Sequence, residues 1–211
     1  MLVLGLTGGI AMGKSHAARA FRVFGVPVHD ADAEVHALLA PGGAAVREVA
    51  AAFPGCLSAG GGIDRPVLGR QVFADPQARR RLEAILHPRV REAESRFLAR
   101  CCREGRAIVV LDVPLLYETG GERRCDRVAV VSAPGWLQAQ RALARRGMTR
   151  ARFEAIRASQ MPDRVKRQRA DFVIASGLDR GATVGQIEAV LCRLRGIEGR
   201  AWPRRWTRGT E

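Results

Sequence analysis

Hydrophobic and polar positions along the chain alternate between two textures. Short unbroken apolar runs lie at residues 2–6, 107–113 (AIVVLDV), 127–132 (RVAVVS) and 171–175 (DFVIA). Runs of this length and continuity predict parallel strands buried on both faces. A shorter run at 25–29 predicts one more strand, ending in Asp30-Ala31-Asp32. Between the runs the apolar residues recur at helical spacing. Helices are predicted from Lys14, over 33–40 and 42–53, from an Asp64 cap to 73, and from Asp75-Pro76 to about 86. His87-Pro88 is expected to interrupt that last helix, which resumes over 89–103. Further helices are predicted from Pro134 to 146, where Gly147 ends it, from a Thr149 cap to about 160, and over 180–195. Residues 54–63 read as a glycine-rich loop, and 199–211, which has no periodicity, as a loose basic tail.

Five strands alternating with helices predict an α/β fold, a doubly wound five-stranded parallel sheet. The helical stretch 33–103 is too large for a plain crossover and reads as a substrate-binding insertion. The expected organisation is a single domain over 1–198. Its core is 1–32, 104–134 and 170–198, with the insertion at 33–103 and a small helical lid at about 135–169.

The junction between the first strand and first helix carries the sharpest chemistry. Gly8, Gly13, Lys14 and Ser15 fill the pattern G-x-x-x-x-G-K-[ST], with a strand before and a helix after, as a phosphate-binding loop requires. Glycines let the backbone approach a phosphate chain closely, and the freed N–H groups of residues 11–16 (Ala11, Met12, Gly13, Lys14, Ser15 and His16) form the expected cradle. Lys14 would bridge the outer phosphates of ATP, and the Ser15 hydroxyl would ligate Mg²⁺. Only Lys14 and Lys166 among the 35 basic residues are lysine, which makes a lysine at this position the more telling.

Composition narrows the picture little further. The 211 residues are 47% hydrophobic and 27% charged, ordinary for a soluble globular protein with a real core. No apolar run reaches the length of a membrane span, and the chain enters a strand with no secretion-like segment, so a cytoplasmic protein with no membrane partner is expected. The five cysteines, odd in number and without C-x-x-C spacing, read as reduced thiols. A net charge of +14 raises nucleic acid as a partner, but aromatics at 5% supply little base stacking. The charge fits a phosphorylated small ligand better, and no specific nucleic acid is expected. The guanine-reading N-K-x-D pattern of a GTPase is absent.

Other candidates follow from position. Asp30 and Asp32 lie at the carboxyl end of the second strand, where open α/β sheets place ligands. Either suits a carboxylate that orients an acceptor hydroxyl and takes its proton, and either suits a helix cap. Asp112 ends an apolar run and suits an acid that holds Mg²⁺ through water, or a simple strand-end carboxylate. Arg141 and Arg145, four apart, would share one helix face and suit a lid that neutralises phosphoryl charge. His87-Pro88 has no assignment on physical grounds.

Beyond the loop, the chain resembles the dephospho-coenzyme A kinase family over residues 2–195. The resemblance rests on L-T-G-G-I-x-x-G-K-S at 6–15, D-A-D at 30–32, H-P-x-V at 87–90 and D-V-P-L-L-Y-E at 112–118. It continues in Q-x-x-R at 138–141, S-Q-M-P at 159–162 and A-D-F-V-I at 170–174. It implies transfer of phosphate from ATP to the ribose 3′-hydroxyl of dephospho-CoA, the last step of CoA synthesis, by a monomer or small homo-oligomer. It implies Asp32 as general base with Asp30 in support, and His87 and Pro88 in the acceptor-binding region. It also implies Arg141 as a lid contact to ATP, and residues 164–172 near the adenine. The chain departs from the family pattern at Ala11 and Met12, where a glycine and a serine are usual. It departs again at Ile156-Arg157, where arginine and isoleucine stand in the reverse order, and near Ser176, where asparagine is usual. The remaining alternative is another kinase of this loop type acting on a nucleotide or small metabolite.

Overall fold

The computed structural model describes residues 1–73 and 75–206. Its strands are β1 (Leu2–Thr7), β2 (Val28–Asp30), β3 (Ile108–Asp112), β4 (Arg127–Ser132) and β5 (Phe172–Ala175), in one sheet of order β2-β3-β1-β4-β5. The pairings of β1 with β3, of β1 with β4 and of β4 with β5 are parallel. Every residue of β1, the central strand, is buried, which is why its sequence is apolar without alternation. The register sets Leu6 opposite both Asp112 and Ala129, so β3 ends beside the carboxyl end of β1 while β4 runs on to Ser132.

The helices are α1 (Lys14–Val23), α2 (Ala31–Leu39), α3 (Val46–Ala52), α4 (Arg65–Phe73), α5 (Pro76–Arg103), α6 (Gly135–Leu143), α7 (Arg150–Ala158), α8 (Asp163–Arg169) and α9 (Arg180–Leu194). Leu2, Leu4 and Leu6 turn one face of β1 toward Ala17 and Phe21 of α1 and Ile187, Leu191 and Leu194 of α9. Gly5 faces the other way, where an added Cβ would lie 2.7 Å from Leu116 and 2.9 Å from Cys125. No helix of the described residues is long and apolar enough to cross a membrane. None of the five cysteines forms a disulfide, and burial pushes the Cys56 and Cys101 thiols up.

The chain divides into two compact units, one of residues 1–29 with the chain from Leu98 onward, the other of residues 30–97. The second unit has its own core, in which Leu38, Leu39, Val49, Phe53, Ile63, Leu68, Ile85 and Leu86 pack together. Asp64 caps the helix that follows it, accepting from the Val67 N–H at 3.0 Å, as the sequence predicts.

The predicted break at His87-Pro88 does not occur, since Pro88 lies inside a continuous α5. Proline there removes the N–H that would meet the Ala84 carbonyl, a local cost of about 3 kcal/mol. The Arg89 guanidinium donates to the adjacent Ile85 carbonyl at 2.9 Å and pairs with Glu48 at 2.5 Å. Leu82, Ile85, Leu86 and Val90 pack into the same core on both sides of the proline. Burial outweighs the local penalty.

The helix expected over 42–53 is confined to α3 at 46–52, and that expected over 134–146 stops at Leu143. Arg145 therefore lies beyond α6, exposed, and shares no helix face with Arg141. Helix α8 was not anticipated. Its one buried side chain is Lys166, so its inward face carries a charge and no apolar stripe betrays it. Lys166 is fully buried and pairs with Glu118 at 2.8 Å, and the Met161 N–H donates to the same carboxylate oxygen at 2.8 Å. Burial raises the Glu118 carboxyl, but Lys166 and the Met161 N–H outweigh it and hold it below its ordinary value.

The tail is not loose where it is described. Ala201 is fully buried, and the Asp126 carboxylate accepts N–H bonds from Val3 (2.8 Å), Arg200 (2.6 Å) and Ala201 (2.8 Å). Arg205 donates to the carbonyls of Arg123 and Cys125, and the Trp206 indole donates to the Arg124 carbonyl at 3.1 Å. Arg124 lies 4.6 Å over the Trp206 ring. Polar anchors hold this segment, so hydrophobic periodicity misses it. Residues 207–211 lie outside the described residues.

Asp126→Ala orphans the three N–H groups and is expected to destabilise the protein by about 2 kcal/mol; urea denaturation measures it. Glu118→Gln leaves the Lys166 ammonium buried and unpaired, at a cost of about 3 kcal/mol at neutral pH. Because the folded Glu118 carboxyl sits below its ordinary value of 4.5, this stability is fully present above pH 4.5 and is lost as pH falls through the folded value. The gap between wild type and Glu118→Gln should therefore narrow in melts recorded below that pH.

Candidate active site

The segment between β1 and α1 is shaped by two glycines. A Cβ at Gly8 would lie 2.6 Å from the Val131 carbonyl oxygen, so only glycine lets the loop leave β1 against β4. Gly13 holds φ +89° as the residue before α1 and has no side-chain cap to offer. No acidic residue occupies the first turn of α1, so that turn leaves the positive end of the helix open to an anion. Ala11 also adopts a left-handed conformation (φ +59°), which costs a residue bearing a Cβ about 1–2 kcal/mol. Its methyl is buried in a cluster with Ala142 and Phe153, packed by Ile10, Ala139, Leu143 and Met148.

Lys14, the first residue of α1, pairs with Asp112 at 2.5 Å. Asp112 ends β3 and is 2% exposed, so its charge needs a cation beside it. Ser15 is exposed, and its hydroxyl makes no hydrogen bond among the described residues. His16 follows on the same helix, and its Nε2 is buried without a hydrogen-bond partner. No group of three or more His, Cys, Asp or Glu among the described residues could hold a metal ion by itself. The donors present, one free hydroxyl and one buried carboxylate, suit Mg²⁺, which takes few protein oxygens and fills its shell with water and phosphate.

The loop is gripped from the side of α6 to β5. The Met12 sulfur accepts from the Ala133 N–H at 3.1 Å. Ser176 donates its hydroxyl to the Met12 carbonyl (2.6 Å) and accepts from Arg141 (3.1 Å), which also donates to the Ser176 carbonyl (2.8 Å). A Cβ on Gly13 would strike the Ser176 hydroxyl at 2.8 Å. The structure thus brings Arg141 to the phosphate loop, and ties Ser176 to the loop backbone at Met12. Two glutamines engage the backbone of one loop residue, on the two peptide groups that flank it. Gln138 donates to the Ile10 carbonyl, and Gln160 accepts from the Ile10 N–H, both at 2.9 Å. Gln138 and Gln160 fall inside the Q-x-x-R and S-Q-M-P motifs, but their contact with the loop is not readable from spacing.

Asp30, Asp32, His87 and Pro88 belong to the second unit. Asp30 ends β2 and caps α2, accepting from the Ala33 N–H at 3.0 Å. Asp32 is the exposed acid of that helix's first turn and makes no side-chain hydrogen bond or ion pair among the described residues. The cap role therefore falls to Asp30 and leaves Asp32 free. His87 and Pro88 are exposed on α5. Of the segment expected near the adenine, Lys166 is buried against Glu118 and Arg169 pairs with Glu122 at 2.9 Å. Arg157 lies 5.6 Å over the Phe153 ring.

Comparison with known proteins places this geometry. Residues 2–179 match the family model described as dephospho-CoA kinase. A dephospho-CoA kinase of Paramagnetospirillum magneticum is 60% identical over 196 residues, covering 93% of this chain and 92% of the relative. One of Rhodospirillum rubrum is 55% identical over 209 residues, covering 99% of this chain and 96% of the relative. Among solved structures, TT1252 from Thermus thermophilus aligns with a TM-score of 0.80 and 34% identity, over 92% of this chain and 98% of that one. The dephospho-CoA kinase of Campylobacter jejuni shares the fold, with a TM-score of 0.62 and 23% identity over 91% of this chain and 96% of that one. The chain belongs to the dephospho-CoA kinase family.

Proposed function

We infer that the chain transfers the γ-phosphoryl group of ATP to the ribose 3′-hydroxyl of dephospho-coenzyme A, giving coenzyme A and ADP. The observation that carries this is the family match over residues 2–179, with the phosphate loop and its lysine in place. Such transfer needs positioning and charge neutralisation more than covalent chemistry from the protein. The N–H groups of residues 11–16 and the positive end of α1 receive the phosphate chain. Lys14, held by Asp112 without nucleotide, turns its ammonium to the outer phosphates. Arg141, parked on Ser176 beside Gly13, is one side-chain rotation from the same charge. Mg²⁺, held by Ser15 and through water by Asp112, would neutralise charge shared between the β- and γ-phosphates.

On the acceptor side, Asp32 takes the proton of the 3′-hydroxyl as its oxygen bonds to the γ-phosphorus and the bond to the β-phosphate oxygen breaks. ADP leaves, and the proton passes from Asp32 to solvent. Asp30 supports this step by capping α2 and fixing the turn that carries Asp32. Residues 33–103, with His87 and Pro88, form the acceptor-binding insertion, and about 135–169 the lid. The enzyme works in the cytoplasm as a monomer or small homo-oligomer.

A coupled ADP-release assay across dephospho-CoA, nucleoside monophosphates and sugar acids tests the acceptor. Turnover is expected with dephospho-CoA, and turnover on a nucleoside monophosphate alone would refute the reading. Lys14→Ala is expected to lower kcat at least 100-fold. Asp32→Asn should lower kcat about 100-fold while the KM for ATP stays within about threefold. An unchanged kcat in that variant would move the base to Asp30 or Asp112.

A further inference from the structure

The two glutamines on Ile10 do more than pack. Gln138 is 5% exposed on α6, one turn before Arg141, and Gln160 follows the end of α7. Gly9 lies between their amides: a Cβ there would sit 3.4 Å from Gln138 Nε2 and 3.4 Å from Gln160 Oε1. The backbone dictates the sense of both contacts, since only an acceptor can meet the Ile10 N–H and only a donor its carbonyl. The peptide groups on either side of Ile10 are thus fixed in orientation immediately before the cradle. The next residue, Ala11, is the one held at φ +59° despite its Cβ. On the far side, Met12 is held in turn through its sulfur to Ala133 and its carbonyl to Ser176. A glycine would adopt the Ala11 conformation without strain, whereas an alanine there needs its neighbours restrained.

We infer that Gln138 and Gln160 are positioning residues for nucleotide binding. They clamp the backbone of Ile10 on both its flanking peptides, keep the phosphate loop in its binding shape despite Ala11, and tie α6 and the end of α7 to that loop. This rests on the reading of the loop as the ATP site. The clamp predicts an asymmetry that packing alone does not. Gln160→Glu keeps the acceptor for the Ile10 N–H, whereas Gln138→Glu replaces a donor with an acceptor facing a carbonyl. Both substitutions add the same charge beside the backbone of the same residue, one at its N–H and one at its carbonyl, so their difference reads the hydrogen bond.

The test is steady-state kinetics of wild type, Gln138→Glu and Gln160→Glu, together with amide exchange at Ile10 read by NMR in wild type, Gln160→Glu and Gln160→Leu. Gln138→Glu is expected to raise the KM for ATP about tenfold more than Gln160→Glu does, with the KM for dephospho-CoA within about twofold in both. Ile10 exchange should be slow in wild type and Gln160→Glu and at least about tenfold faster in Gln160→Leu. Equal effects of the two glutamates on the ATP KM, or exchange unchanged in Gln160→Leu, would overturn the clamp. A wild-type enzyme inactive on dephospho-CoA would overturn the acceptor assignment instead, leaving exchange and ATP binding to decide the clamp.

Discussion

A buried carboxylate needs a cation, and the site is built around that requirement at Asp112. With 2% of its surface exposed, Asp112 holds its charge at the end of β3 because Lys14 reaches it from the first turn of α1. The pairing is possible only because β3 lies beside β1, so that the end of one strand faces the loop leaving the other. The lysine is in this way stationed before nucleotide arrives, its ammonium largely buried against Asp112. An anion entering the cradle competes with Asp112 for a cation already in place and does not have to order a free side chain.

The chain's other lysine is used in the same way. Lys166 is the one buried side chain of α8, and it pairs there with Glu118. Asp112 and Glu118 are the two ends of one segment, D-V-P-L-L-Y-E, so the stretch after β3 is bracketed by two lysine pairs. One fastens it to the phosphate loop, the other to α8. Glu118 also accepts from Met161, next to the Gln160 that holds Ile10. The loop, the segment after β3 and the connection between α7 and α8 are thus linked through polar contacts rather than a shared apolar core. Elsewhere the chain uses arginine, whose fork suits exposed pairs and carbonyls; these two sites take the slimmer ammonium.

The strands and phosphate loop were legible because their signals are local. An unbroken apolar run has few alternatives, and the glycine positions at 8 and 13 follow from backbone geometry. The rest depended on partners distant in sequence. Helix α8 hid because its inward residue is charged, and the residues around Ala201 because Asp126 anchors them. Pro88 looked like a boundary because the packing of Ile85, Leu86 and Val90 that carries the helix through it is tertiary. Within the site, Lys14 and Ser15 could be named from spacing, and Arg141 from the resemblance. The choice of Asp30 as cap needed coordinates, as did the roles of Ser176, Gln138 and Gln160, since each lies in a hydrogen bond whose direction only geometry reveals.

The Asp126 anchor bears on how the protein is made. One carboxylate joins Val3, in the first strand synthesised, to Arg200 and Ala201, which emerge only after β5 and α9 are complete. The acid that already fastens β1 is therefore the landing point for residues made much later, which can dock only after α9 has formed. One carboxylate so serves an early strand and a late segment, at the end of the sheet opposite the phosphate loop.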